Sequence, residues 1–216
     1  PLAPMPPETA KPTPSAVLTA LSSDKVDPVI LAQQVLDCIG DEPAAELATA
    51  AWAHPSPTVR KAGLYLLAKR PALSAPVESL TAFLARPTNE RGDAQYDDHD
   101  LRTYAMMALA LRGKLPVNAN SFGFYTRLAA AQALELTYIW CLGVNGDRTA
   151  VPYLGRLLYD SNLRVRMKAA IALGQLGDPA AVPALEEMAA NEAHAYGRNE
   201  AQAALERIKQ GTTTRQ

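Results

Sequence analysis

The chain has 216 residues, 48% of them hydrophobic, with 21 basic against 22 acidic residues. That balance leaves no electrostatic footprint for nucleic acid or an anionic membrane. No apolar run approaches the roughly 18 residues a membrane-spanning helix needs.

The first stretch, PLAPMPPETAKPTPSA, holds six of the 17 prolines and is expected to be extended. Residues 1–27 therefore read as a Pro-rich disordered tether, 28–208 as the folded domain, and 209–216 as a flexible tail. A tether of this kind often follows a signal peptide or an anchor, which favours a periplasmic or cell-envelope setting over a cytoplasmic one. Beyond it, alanine and leucine dominate while valine and isoleucine are sparse, so the elements should be helices.

Those helices recur. LAQQVLDCIG from Leu31, VRKAGLYLLA from Val59, LRTYAMMALA from Leu101, LELTYIWCLG from Leu134, VRMKAAIALG from Val165 and GRNEAQAALE from Gly197 share one apolar spacing. Their starts are 28, 42, 33, 31 and 32 residues apart. After two of them comes the same corner: LGVNGDRTAVPYL (Leu142–Leu154) lies over LGQLGDPAAVPAL (Leu173–Leu185) at a shift of 31. In the second copy Gly177 suits a left-handed helix end and Asp178 an N-cap. Pro183 is tolerated only in a first turn. Residues 178–181 thus read as a tight corner, with the next helix starting near Val182. Helix–corner–helix units at a period near 31 residues predict an all-α solenoid of about six hairpins, each burying its apolar face against its neighbours.

The run D-x-x-x-x-V-R-x-x-A-A-x-A-L-G-x-L-G-D-P-x-A-V-P-A-L, from Asp160 to Leu185, resembles the HEAT-like repeat of the phycobilisome lyases. The resemblance is specific over residues 134–190, extends to the helices from Val59 and Leu101, and is poor before residue 55. It implies a right-handed array whose second helices line the concave surface. It also gives a role to Arg60, Arg102, Arg166 and Arg198, which share one repeat position, with an acid such as Asp160 in the loop before Arg166. They should form an inter-repeat ladder of charge-assisted hydrogen bonds to loop carbonyls and carboxylates. A functional basic stripe is the rival reading, which neither bulk charge nor the neighbouring helices support.

The same register places Cys38 and Cys141 where Ala108, Ala172 and Ala204 fall, a small buried position. Three repeats separate them, too far for a disulfide.

Little in the chain points to catalysis. His54, His99 and His194 have no second histidine at ligand spacing, and there is neither H-E-x-x-H nor C-x-x-C. The HEAT-repeat di-iron hydroxylases carry repeated His-Glu pairs, and none is present here. The insert PTNERGDAQYDDHD (Pro87–Asp100) lengthens one repeat step to 42 residues and gathers Asp93, Asp97, Asp98, His99 and Asp100. It is oxygen-rich enough for a divalent cation, but its spacing matches no EF-hand loop. A solvated loop with Asp100 near the start of the next helix is the expectation, with no metal and no cofactor.

Aromatic residues are more suggestive. NSFGFYTRLAAAQ places Phe122, Phe124, Tyr125 and Arg127 together, and the second helix of the fourth repeat carries Tyr153, Arg156 and Tyr159. Tyrosine and arginine dominate interface energetics. Tyr125, Arg127, Tyr153, Arg156 and Tyr159 therefore form the candidate partner-binding cluster, with core packing the rival reading for each. The expected function is a non-catalytic scaffold or adaptor holding a protein or peptide. An enzyme on the same repeats, bilin-lyase-like or an alkylation-repair DNA glycosylase, is the alternative. A glycosylase would need a basic concave face, and the second helices are nearly free of lysine and arginine.

Overall fold

The computed structural model describes residues 13–22, 27–36, 38–85, 95–117 and 132–213. Among these residues every regular element is helical. The chain divides into two compact units: residues 1–79 with 87–108, and residues 80–86 with 109–216.

In the first unit, α1 (Pro14–Leu21) is followed by α2 (Pro28–Leu36), α3 (Asp41–Trp52) and α4 (Pro57–Lys69). α1 packs on α3 and α2 packs on α4, while α3 and α4 form the hairpin that ties the two layers together. That hairpin is tight. A Cβ on Gly63 would lie 2.8 Å from the Ala48 carbonyl oxygen and 2.9 Å from the Ala51 Cβ.

α1 corrects the expected tether of residues 1–27. Thr13 caps it, its Oγ1 accepting from Ala16 N at 3.3 Å, and Pro14 supplies the missing-amide residue at the first helical position. Val17 and Leu21 are buried, so the helix is anchored by apolar contact as well as by its cap. It occupies the layer of a second helix, half a hairpin earlier than the repeats read from the sequence. α5 (Val77–Ala85) and α6 (Gln95–Ala110) each begin in the first unit and finish in the second.

The second unit holds α7 (Gln132–Asn145), α8 (Val151–Leu157), α9 (Leu163–Leu176), α10 (Val182–Asn191) and α11 (Ala195–Thr213). The first helices α7, α9 and α11 pack in succession, and α8 and α10 close their hairpins against α9 and α11. Two glycines set the spacing. A Cβ on Gly143 would meet Ala172 Cα at 2.8 Å, and a Cβ on Gly174 would meet Ala204 Cα at the same 2.8 Å. The interface is one contact used twice. α11 runs to Thr213, past the expected boundary at residue 208.

Both corners form as the residues dictate. Gly146 and Gly177 take φ of 77° and 62°, left-handed values that glycine adopts without cost. Asp147 Oδ1 accepts from Thr149 N and Asp178 Oδ1 from Ala180 N, each at 2.9 Å. A short 3-10 turn follows each cap, Arg148–Ala150 and Pro179–Ala181, before α8 and α10 begin. α10 starts at Val182, as the sequence predicts, with Pro183 in its first turn.

Candidate functional site

The arginine position is built most completely at Arg166, on α9. Its Nη1 donates to the carbonyls of Asp160 at 2.8 Å and Ser161 at 3.0 Å, closing the loop that precedes its own helix. Its other nitrogens reach across to the next repeat: Nε donates to Glu192 Oε2 at 2.6 Å and Nη2 to Glu192 Oε1 at 3.0 Å. Arg198, 32 residues on, repeats the loop half of this arrangement, with Nη1 2.7 Å from the Glu192 carbonyl and 2.8 Å from that of Ala193. The carboxylate of the ladder therefore comes from the loop after the arginine's hairpin. Asp160, read as the acid partner, contributes its carbonyl, while its carboxylate accepts from Asn162 N at 2.7 Å.

Glu192 also accepts from His194 N at 3.0 Å, so three donors converge on one carboxylate. The Arg166 guanidinium and that amide together hold the Glu192 carboxyl at about 2, well below its ordinary 4.5. Arg166 is stabilised as the cation in turn. Gly197 makes room for this, because a Cβ there would lie 2.6 Å from Glu192 Cγ.

Arg102 is buried, 2% exposed. Arg60 is partly buried, and its Nε has no hydrogen-bond partner among the described residues. In that unit Arg70 also ties loops together, its Nη1 donating to the Ile39 carbonyl at 3.0 Å and to Asp41 Oδ1 at 3.1 Å.

The candidate partner-binding cluster is only partly assembled. Tyr125 and Arg127, with Phe122 and Phe124, lie outside the described residues. Tyr153 is 7% exposed and belongs to the core of α8, beside buried Val151 and Leu154, which removes it from the surface. Arg156 and Tyr159 are exposed, the latter at 61%. Tyr159 lies in the turn after α8, and its hydroxyl donates to Glu187 Oε2 on α10 at 2.6 Å. That bond raises the pKa of the Tyr159 hydroxyl. A similar strut occurs in the first unit, where Trp52 Nε1, at the end of α3, donates to Ser79 Oγ at 2.9 Å. Between Arg156 and its neighbours, Gly155 has open space on its Cβ side.

Within each unit the second helices carry exposed acids. Asp41, Glu42 and Glu46 on α3, Glu78 on α5, and Glu186 and Glu187 on α10 are all exposed. The acidic insert falls largely outside the described side chains, Asp93, Asp97, Asp98 and His99 among them. Asp100 is described, and it lies a turn inside α6 and not at its start. It binds the Lys61 ammonium on α4, raising the lysine's pKa. No three His, Cys, Asp or Glu side chains cluster as a metal site would require, among the described residues.

Both cysteines were expected at one small buried position, and they part company. Cys141 is buried, and burial pushes its thiol far up. Cys38 is exposed, because α2 ends at Leu36 and Cys38 falls in the turn beyond it. Three residues with clear roles were missed from the sequence: Glu187, Glu192 and Asn145. Asn145 is 9% exposed, and its amide accepts from Leu115 N at 2.9 Å and donates to Leu115 O at 3.0 Å.

No curated protein matches the sequence. Among solved structures, the crystal structure of an engineered protein resembles this chain with a TM-score of 0.56 and 19% identity, over 90% of this chain and 96% of that one. Human deoxyhypusine hydroxylase, in complex with glycerol, resembles it with a TM-score of 0.50 and 20% identity, over 91% of this chain and 74% of that one. At such identities the likeness is one of fold. A family model described as HEAT repeats matches residues 124–206, so this part of the chain is built of HEAT-like repeats.

Proposed function

We propose that the chain is a non-catalytic binding module: a right-handed array of about six hairpins, of the phycobilisome-lyase repeat type, that holds a protein or peptide. The observation that carries this is the surface of α8 and α10. Tyr159, in the turn after α8, is exposed and its hydroxyl donates to Glu187, with Arg156 in the last turn of α8 and the open Gly155 beside it. Tyr and Arg are the usual anchors of interfaces, offering large amphipathic area and bidentate hydrogen bonds. The acidic second helices weigh against nucleic acid as the partner.

The test is affinity capture with three forms of the chain: wild type, R156A/Y159A, and K168A on α9. A partner retained by wild type and K168A but lost by R156A/Y159A supports the reading. A partner retained equally by all three moves the site elsewhere. The second reading, an enzyme on the same repeats, draws on the fold likeness to deoxyhypusine hydroxylase. Assays of the intact purified chain for bilin attachment and for release of alkylated bases from DNA separate the two, activity in either favouring the enzyme.

A further inference from the structure

Arg198 stands on α11 as Arg166 stands on α9, 32 residues earlier. In both, Nη1 donates to two carbonyls, those 6 and 5 residues before the arginine. Pinning one nitrogen this way orients the planar guanidinium and leaves its Nε–Nη2 edge as a fork for a carboxylate. On Arg166 that edge takes both oxygens of Glu192. On Arg198, half-buried, the two carbonyls are the only hydrogen-bond partners among the described residues, so the fork is open.

The row of side chains below each arginine decides what can approach it. Arg166, Ala170 and Gly174 succeed one another at single turns of α9 and share one face. That face meets the next repeat, Arg166 at Glu192 and Gly174 at Ala204, and Ala170 within it is buried. The same row on α11 reads Arg198, Gln202 and Glu206, and the last two are exposed. A glutamate in the place of Gly174 holds off another first helix. Neither a further repeat nor a second copy of this chain can therefore pack on α11 as α11 packs on α9. Arg198 lies roughly 12 Å along the helix from Glu206, and there the row is cationic.

From the open fork and the blocked row we infer that Arg198 is a docking point for an aspartate or glutamate on an extended segment of a partner protein. The acid makes with Arg198 the two-point contact that Glu192 makes with Arg166. Its charge is complementary, and the chain's own rung supplies the geometry. An extended segment also meets the steric condition, because it crosses the first turn of α11 without lying along Gln202 and Glu206. The site uses neither Arg156 nor Tyr159, so it stands or falls apart from the surface of α8 and α10.

The probe is a peptide of residues 188–195, acetylated and amidated at its ends so that Glu192 is its one acid, with a Glu192→Gln version as control. Arginine Nε–H signals of the intact chain follow the titration by NMR, the Arg198 signal being the one absent from Arg198→Lys. The Glu peptide should shift that signal saturably and bind about tenfold more tightly than the Gln peptide. The Arg166 signal, its fork already filled, should stay in place. Equal binding of the two peptides, no shift at Arg198, or an equal shift at Arg166 would each overturn the proposal. So would tighter binding of inorganic phosphate than of the Glu peptide, which would mark a general anion site. Sedimentation covers the remaining occupant: self-association of wild type that is lost in Arg198→Lys would put a second copy there and overturn it too.

Discussion

Arg166 and Glu192 meet in a two-point contact between neighbouring repeats, with nitrogen–oxygen separations of 2.6 and 3.0 Å and a carboxylate side chain only 5% exposed. A carboxyl held near 2 when folded, against 4.5 ordinarily, stabilises the fold fully above about pH 4.5, and that contribution is lost as the pH falls toward 2. Glu192→Gln should therefore cost about 1–3 kcal/mol at pH 7 and flatten the stability profile between pH 5 and 2. Urea unfolding across that range decides it. An unchanged slope would show that other carboxyls govern acid stability.

The glycines separate into two kinds. Gly174→Ala sets a methyl against Ala204 backbone at 2.8 Å, and we expect a loss of about 1–3 kcal/mol. Gly155→Ala adds a methyl in open space within a helix, where about 0.5–1 kcal/mol of stabilisation is expected. Paired thermal melts of the two variants suffice. Equal shifts of the same sign would refute the close approach.

Tyr153 and Tyr159 should behave as opposites. Tyr153→Ala empties a core position that is 7% exposed and should cost about 3–5 kcal/mol. Tyr159→Ala gives up an exposed ring with one solvent-facing hydrogen bond to Glu187, so its cost should be far smaller than that of Tyr153→Ala. Chemical denaturation measures both. A Tyr159 loss as large as that of Tyr153 would make the exposed ring a packing element and leave Arg156 without its aromatic neighbour in any binding role.

Asn145 offers a sharper case of polar burial. Asn145→Ala strands both the amide and the carbonyl of Leu115, each now satisfied by one side chain. A loss of about 2–4 kcal/mol follows from two unpaired buried groups. Asn145→Asp keeps the acceptor but turns the donor into a second acceptor facing the Leu115 carbonyl. Its deficit should grow as the pH rises through the carboxyl range, and a pH-independent deficit would count against the two-bond geometry.

How much of this was legible depends on how local the governing rule is. The corners could be read because Gly177, Asp178 and Pro183 each obey a rule confined to two or three residues. α1 was hidden by composition: the prolines that signal an extended chain include Pro14, which suits a first helical position once Thr13 caps it. Cys38 was misplaced because period alone carried its helix two residues too far. Tyr153 and Tyr159 look alike in sequence, and only the stacking of neighbours decides which one is covered. Glu192 had a signal that went unused. A shift of 32 lays it over Asp160, but its partner Arg166 stands in the preceding repeat, where local reading does not look.

The twice-used contact of Gly143 with Ala172 and Gly174 with Ala204 bears on how such a chain can grow. The block from Gly146 to Leu176 brings an alanine that fits the glycine of the helix before it, and a glycine that fits the alanine of the helix after it. Copied in tandem by a recombination event, the block would present Ala172 of the new copy to the existing Gly174, and its own Gly174 to Ala204. Asp160 of the copy would arrive where Arg166 now finds Glu192. At the glycine–alanine contact, lengthening by whole modules thus demands no compensating substitution, whereas the arginine contact would change, because the copy brings Asp160 where Glu192 now stands.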